Sequence, residues 1–261
     1  MSSPLVSVLM TCYNRELFIA EAIESVLSST FTDFELIIVD DCSTDNTVEI
    51  LNKYKLIDTR IKVFINKKNL TDYHNRNKAA SYASGKYLKY LDSDDLIYPH
   101  GLELIVKCME KFPEAAFGLE SFYDRKSPYP ILIRPAEIYM EHFFGFGHFH
   151  RAPGSAIIRR DIFELEGGFS GKRLIGDTEL WLKLSSKYCM VKIHPDLYWA
   201  RPHLQQEGTM FKTEMVRAGN DILAMYLNSI NCPLSVNQLK KVKKKLFKSK
   251  VRNIILKYSA I

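Results

Sequence analysis

Three aspartates crowd one short stretch, YLKYLDSDDLIYP over 87–99, where Asp92, Asp94 and Asp95 stand around one serine at the end of an apolar run. Carboxylates are seldom buried without a partner, so something should meet them: a metal ion, a neighbouring arginine, or water at an open turn. The Asp92-Ser93-Asp94 spacing suits Mg²⁺ or Mn²⁺. These hard cations take one or two carboxylates and complete their shell with phosphate oxygens and water. A cation so held acts as a Lewis acid on a departing diphosphate.

The elements around these acids follow a regular rhythm. Leu5–Met10 is an apolar run ending at polar TCYNR, and ELFIAEAIESVLSS repeats its apolar residues at helical spacing. FELIIVDD predicts a second strand, with Ser43 or Thr44 capping a helix that starts near Asp45. Ile61–Ile65 reads as a third strand and Tyr73–Ala83 as a third helix stopped by Ser84-Gly85. Lys86–Leu91 is a fourth strand, followed by a helix from about Pro99 to Phe112. Near-continuous apolar strands alternating with helices imply a mostly parallel, Rossmann-like α/β sheet covered on both faces. Ligands of such sheets bind beyond the carboxyl ends of the strands. Three polar tips fall there: Thr11-Cys12-Tyr13-Asn14, Asp40-Asp41 and Asp92–Asp95. One such tip alone would read as a turn; three on one edge read as a binding site.

The second half is less regular. Residues 123–154, rich in Pro, Tyr, Phe, Gly and His, read as loops and short elements lining a cleft. GSAIIRRDIFELEGGF predicts a strand, a short helix and a Gly-Gly turn; a helix starts at Asp177, and MVKIHPDLYWARPH gives two short strands. His148 and His150 alternate as zinc ligands on a strand would, but no third ligand lies nearby.

At 261 residues and 46% hydrophobic, the chain can bury a sizeable core. No apolar run reaches the ~20 residues of a membrane span. Five scattered cysteines without a CxxC pair, and a start lacking a basic n-region, lead us to expect a cytoplasmic protein with reduced thiols. Charge is unevenly spread. The net +6 conceals a run over 240–257, KKVKKKLFKSKVRNIILK, that carries +9 with no acid, leaving the rest at −3.

PLVSVLMTCYNRE, FELIIVDDCSTDNT, NRNKAASYASGKYLKYLDSDD, GSAIIRRDIFELEGGF and GDTELWLKL, in that order over about 4–207, resemble the family 2 glycosyltransferases. The resemblance implies a GT-A fold and an inverting hexosyl- or N-acetylhexosaminyl-transferase. Such an enzyme uses a nucleotide-sugar donor, here a UDP-sugar, with Mn²⁺ or Mg²⁺. Its acceptor would be a glycan or lipid-linked saccharide in cell-surface polysaccharide synthesis. It assigns Thr11 and Tyr13 to base and ribose, and Asp41 to a uracil N–H. Arg76 goes to base or diphosphate, Asp92 to the ribose or the metal's waters, and Asp94 to the metal. Asp95 is expected to be a capping or structural carboxylate. Family members open a helix with an acidic pair whose second member is the catalytic base. Here that pair reads Gly176-Asp177, so Asp177 takes the base role and the first acid is missing, with Glu179 as the alternative. Arg201-Pro202-His203 resembles the late stretch whose histidine approaches the metal.

We therefore expect a GT-A domain over 1–207, with a nucleotide-binding half to about 112 and an acceptor-side half over 113–207. A helical basic segment fills 208–261. In 236–258 the apolar residues form a rough helical stripe between lysines. Such a helix either adsorbs to the inner face of a membrane or packs on the domain or a dimer partner. A nucleotidyltransferase would normally open with a Gly-rich basic loop, which TCYNRE is not. A non-catalytic carbohydrate- or nucleic-acid-binding protein would leave the converging acids unexplained, since acids repel phosphate.

Overall fold

A computed structural model describes residues 3–121, 128–145, 147–202 and 211–258, with the side chains of 212 and 249–258 outside the description. Four parallel strands form the first part of the sheet: β1 (Val6–Cys12), β2 (Phe34–Asp40), β3 (Ile61–Ile65) and β4 (Tyr87–Tyr90). They are linked by helices α1 (Ile19–Leu27), α2 (Thr47–Ile57) and α3 (Asp72–Ser81). Then follow β5 (Leu96–Ile97), α4 (Gly101–Glu110), β6 (Ala115–Glu120), β7 (Ile131–Ile133), α5 (Pro135–Phe144), β8 (Ala156–Arg159) and α6 (Arg160–Leu165). The chain closes with α7 (Gly176–Lys187), β9 (Cys189–Ile193), β10 (Tyr198–Trp199), α8 (Lys212–Leu227) and α9 (Val236–Tyr258).

The eight-stranded sheet runs β3-β2-β1-β4-β8-β6-β9-β7. β8 enters antiparallel between β4 and β6, β9 lies parallel to β6, and β7 is antiparallel at the edge. Alternation along each strand feeds a core on either face. Val6, Val8 and Met10 of β1 join α1 and α4, while Leu9 joins the opposite core with α3, α5 and α7. β5 and β10 form a separate two-stranded ribbon.

Two expectations change. The stretch expected to hold loops and short elements contains the ten-residue helix α5, which starts with Pro135 at its first turn. The Glu137 carboxylate accepts the Arg134 N–H, 2.8 Å away, closing the helix's first turn. Its aromatic content masks the helical period, because Tyr139 and Phe143 are buried against the core. The second change concerns the start of α2. It begins at Thr47 rather than near Asp45, because Ser43 is held by the Asp40 carboxylate while Asp45 accepts the Thr47 N–H and hydroxyl.

The C-terminal helices are built into the main body. Ile222, Leu223 and Leu227 of α8 and Val242 of α9 are buried in the same core as α5 and α7, with Leu239 and Leu246 packed beside them. Lys245 donates to the Phe143 carbonyl at the C-terminal end of α5, where a cation also meets the negative end of the helix dipole. The described part of the apolar stripe therefore faces inward, leaving Lys240, Lys241, Lys243, Lys244 and Lys248 exposed around Phe247.

Candidate active site

The carboxyl ends of β1, β2 and β4, together with the N-termini of α3 and α7, enclose a cavity of about 670 Å³. Thr11, Tyr13, Asp41, Arg76, Asp92, Asp94 and Asp177 all line it, so seven of the eight residues assigned from the sequence come together. The eighth, His203, lies outside the described residues. Tyr13 is exposed, leaving its ring available to stack on a planar ligand.

Asp41 is buried and its carboxylate is largely occupied by its own chain. Oδ1 accepts from the Asn66 amide and the Leu70 N–H, both at 2.8 Å, and Oδ2 accepts from the Thr71 N–H at 2.9 Å. A carboxylate offers about four acceptor directions, so Oδ2 keeps one for a ligand N–H. These bonds also hold the 69–71 segment, which carries Asn69 and Thr71 into the cavity wall.

The positive partners of the acidic tip are arginines in this structure. Arg76 Nη2 lies 2.7 Å from Asp92 Oδ1, and its Nε donates to Asp72 at 2.8 Å, one helical turn back. Burial opposes the Arg76 charge, but Asp92 and Asp72 outweigh it and push its pKa up. Its Nη1 is buried without a hydrogen-bond partner. Arg15 Nε stands 3.4 Å from Asp94 Oδ2. Asp95 is buried at the cavity wall, and its Oδ1 accepts the Arg201 N–H at 3.0 Å. Burial, with Asp92 next in effect, pushes its carboxyl up to about 7.

The donor set fits a divalent cation only in part. Asp92 and Asp94 offer hard oxygens, and Asp92 Oδ1 is buried with no well-directed hydrogen bond despite its ionic contact. Among the described residues, no group of three or more His, Cys, Asp or Glu could hold a metal alone.

Asp177 lies in the first turn of α7 and lines the cavity. Its Oδ1 accepts the Thr178 N–H at 2.6 Å. Burial pushes its carboxyl up to about 6, against the pull of the Thr178 N–H, Arg76 and the Tyr73 hydroxyl. Glu179, the alternative base, is committed elsewhere: Ser170 donates to it, and Lys172 bonds it at 2.6 Å.

The glycine before Asp177 now has a physical reason. A Cβ at Gly176 would sit 2.7–2.8 Å from three atoms of the Tyr73 ring, closer than side chains tolerate. Tyr73, buried between Gly176 and Phe169, occupies the space a first acid would need. Sequence reasoning passed over Tyr73, Asp72 and Arg15, although Arg15 lies within TCYNRE beside Tyr13. It also passed over Arg173, Leu174 and Met215, which line the cavity too, the last from α8.

The model of glycosyl transferase family 2 matches residues 7–166, well over half the chain. The chain belongs to glycosyl transferase family 2. A family relative is TuaG of Bacillus subtilis (strain 168), whose assignment to glycosyl transfer in teichuronic acid biosynthesis is provisional. It is 47% identical over 92 residues, covering 35% of this chain and 36% of TuaG. The matched stretches span only 33–40% of the first three curated relatives. Among solved structures, S. aureus TarS 1–349 in complex with UDP superposes with a TM-score of 0.68 at 20% identity, over 91% of this chain and 69% of that one. The mannosyltransferase PcManGT from Pyrobaculum calidifontis, in complex with GDP-Man and Mn²⁺, gives 0.64 at 16% identity over 100% and 81%. At those identities the likeness is one of fold, and the fold is GT-A.

Proposed function

We propose that this family 2 protein moves a sugar, with inversion, from a nucleotide diphosphate donor to a hydroxyl of a glycan or lipid-linked saccharide. The observation that carries the reading is the single cavity shared by the nucleotide-type tips, the Asp92–Asp94 pair and Asp177. TarS with UDP and PcManGT with GDP-Man and Mn²⁺ support it from the same fold.

In this reading Tyr13 stacks on the base and the remaining lone pair of Asp41 accepts a pyrimidine N3–H. Asp92 and Asp94 would hold Mn²⁺ or Mg²⁺, which when bound neutralises charge on the diphosphate. Asp177 takes the proton from the acceptor hydroxyl as that oxygen attacks the anomeric carbon. The bond to the diphosphate breaks on the opposite face, inverting the centre. Arg76 Nη1 is the unpaired donor best placed to meet a donor oxygen. Hydrolysis of a nucleotide-sugar panel, with and without Mn²⁺, tests the class; no turnover of any member under both conditions overturns it.

The donor base can be tested separately. UDP should bind at least about tenfold more tightly than GDP, because the larger guanine ring does not present its N1–H to Asp41 in the geometry of a uracil N3–H, and a lost buried hydrogen bond costs about 1–2 kcal/mol. Asp41→Asn should abolish the preference. Calorimetry that finds GDP the tighter ligand in the wild type removes Asp41 from this role.

No helix among the described residues is long and apolar enough to cross a membrane. The exposed lysines of α9 favour adsorption to an anionic leaflet over insertion, because Leu239, Val242 and Leu246 are already used in packing. Each such charge contributes about 1 kcal/mol at low salt and is screened as salt rises. Replacing Lys240, Lys241, Lys244 and Lys248 by Gln should therefore weaken sedimentation with phosphatidylserine vesicles by about tenfold or more. Equal binding to neutral vesicles, or binding indifferent to 0.5 M salt (roughly a Debye length of 4 Å), speaks against the contact.

A further inference from the structure

Arg201 follows β10 and ties three distant parts of the chain together beneath the acidic tip. Its backbone N–H donates to Asp95 Oδ1 at 3.0 Å, and its Nε donates to the Asp94 carbonyl at 2.9 Å. Its Nη2 reaches Glu21 of α1 at 2.5 Å. The guanidinium carbon stands 4.9 Å from the Trp199 ring centroid and 5.4 Å from that of Phe18. A planar fork with a fixed donor at Nε can serve a carbonyl and a carboxylate while stacking on aromatic faces; an ammonium cannot do all of these at once. Within the 92–95 turn the Asp95 N–H also donates to the Asp92 carbonyl at 3.0 Å. Besides Glu21, Arg201 thus grips Asp94 and its neighbour through a backbone carbonyl and a buried carboxylate, while the Asp94 carboxylate itself lines the cavity beside Arg15.

We infer that Arg201 is the positioning residue of the acidic turn: it fixes the Asp94 backbone so that the carboxylate is aimed before any ligand arrives. A preformed donor geometry lowers the ordering cost of binding a cation with its diphosphate. Only the second half of the test below rests on the proposed function.

The first measurement is hydrogen exchange on the unliganded full-length chain. In Arg201→Met, peptides covering 91–97 should exchange about fivefold faster or more, while those of β1 and β2 stay within about twofold of wild type. Arg201→Lys should behave like Arg201→Met, because it keeps charge but loses the fork; Glu21→Gln should give a smaller change. Unchanged exchange at 91–97, or acceleration spread equally across the sheet, overturns the inference whatever the protein binds. The second measurement is the ratio of UDP affinities with and without Mn²⁺. It should fall by about fivefold to tenfold in Arg201→Met while metal-free affinity holds, since preorganisation is what is lost. A preserved ratio overturns the link to the cation. A wild type with no Mn²⁺ effect on UDP instead removes the metal reading and leaves the exchange result standing.

Discussion

Asp94→Asn should reduce transfer by about three orders of magnitude or more while leaving the fold intact. The effect is large because a carboxamide supplies no anionic oxygen to a hard cation, and such Lewis-acid stabilisation is worth several kcal/mol at about 1.4 kcal/mol per decade. The fold should survive because the Asp94 side chain lies on the cavity wall, and the structural bonds of the turn run through its carbonyl and through Asp95. Loss of the 3.4 Å approach to Arg15 costs little, as ion pairs near water usually do. Calorimetry should show that Mn²⁺ no longer strengthens UDP binding. Unchanged Mn²⁺-dependent binding in the variant would move the cation site elsewhere.

Asp177→Asn should lower kcat by about two to four decades with donor affinity nearly unchanged, because a general base acts on the acceptor hydroxyl in the transition state. Its carboxyl is pushed up to about 6, so the basic form is lost as pH falls through that value. In the wild type, kcat/KM should rise with pH through about 6 and level off above it. Stability runs the other way. A carboxylate with a folded pKa above its unfolded one contributes stability at low pH that is lost as pH rises through 6. At pH 8 the asparagine variant should therefore melt slightly higher than wild type, by an increment on the order of 1 kcal/mol. Near-wild-type kcat here, with collapse in Glu179→Gln, would transfer the role to Glu179.

The first four strands were legible because each is a near-continuous apolar run between polar tips, and a parallel sheet covered on both faces favours that pattern. The convergence of those tips followed from topology alone. β8 was legible as a strand, but its place between β4 and β6 depends on contacts roughly 40 and 70 residues apart in the chain that no local signal encodes. Helix α5 was missed because its inward residues are aromatic and its capping pair involves Arg134 rather than Ser or Thr. The partners of the acidic tip were legible only as a class. That Arg76 meets Asp92 and Arg15 meets Asp94 depends on helix placement. The missing first acid was visible at once; its cause, a tyrosine 103 positions earlier, was not.

That tyrosine ties the history of one position to another. With Tyr73 in place, a glutamate introduced at 176 has nowhere to put its first carbon, so the single change should damage the α7 start and the base with it. With a smaller residue at 73 the same glutamate gains room, though the earlier step opens a gap under Asp177. Divergence between Gly-Asp and an acidic pair at this helix is thus a two-step path with a costly intermediate in either order. Chains of this kind should keep tyrosine at 73 and glycine at 176 together or lose them together.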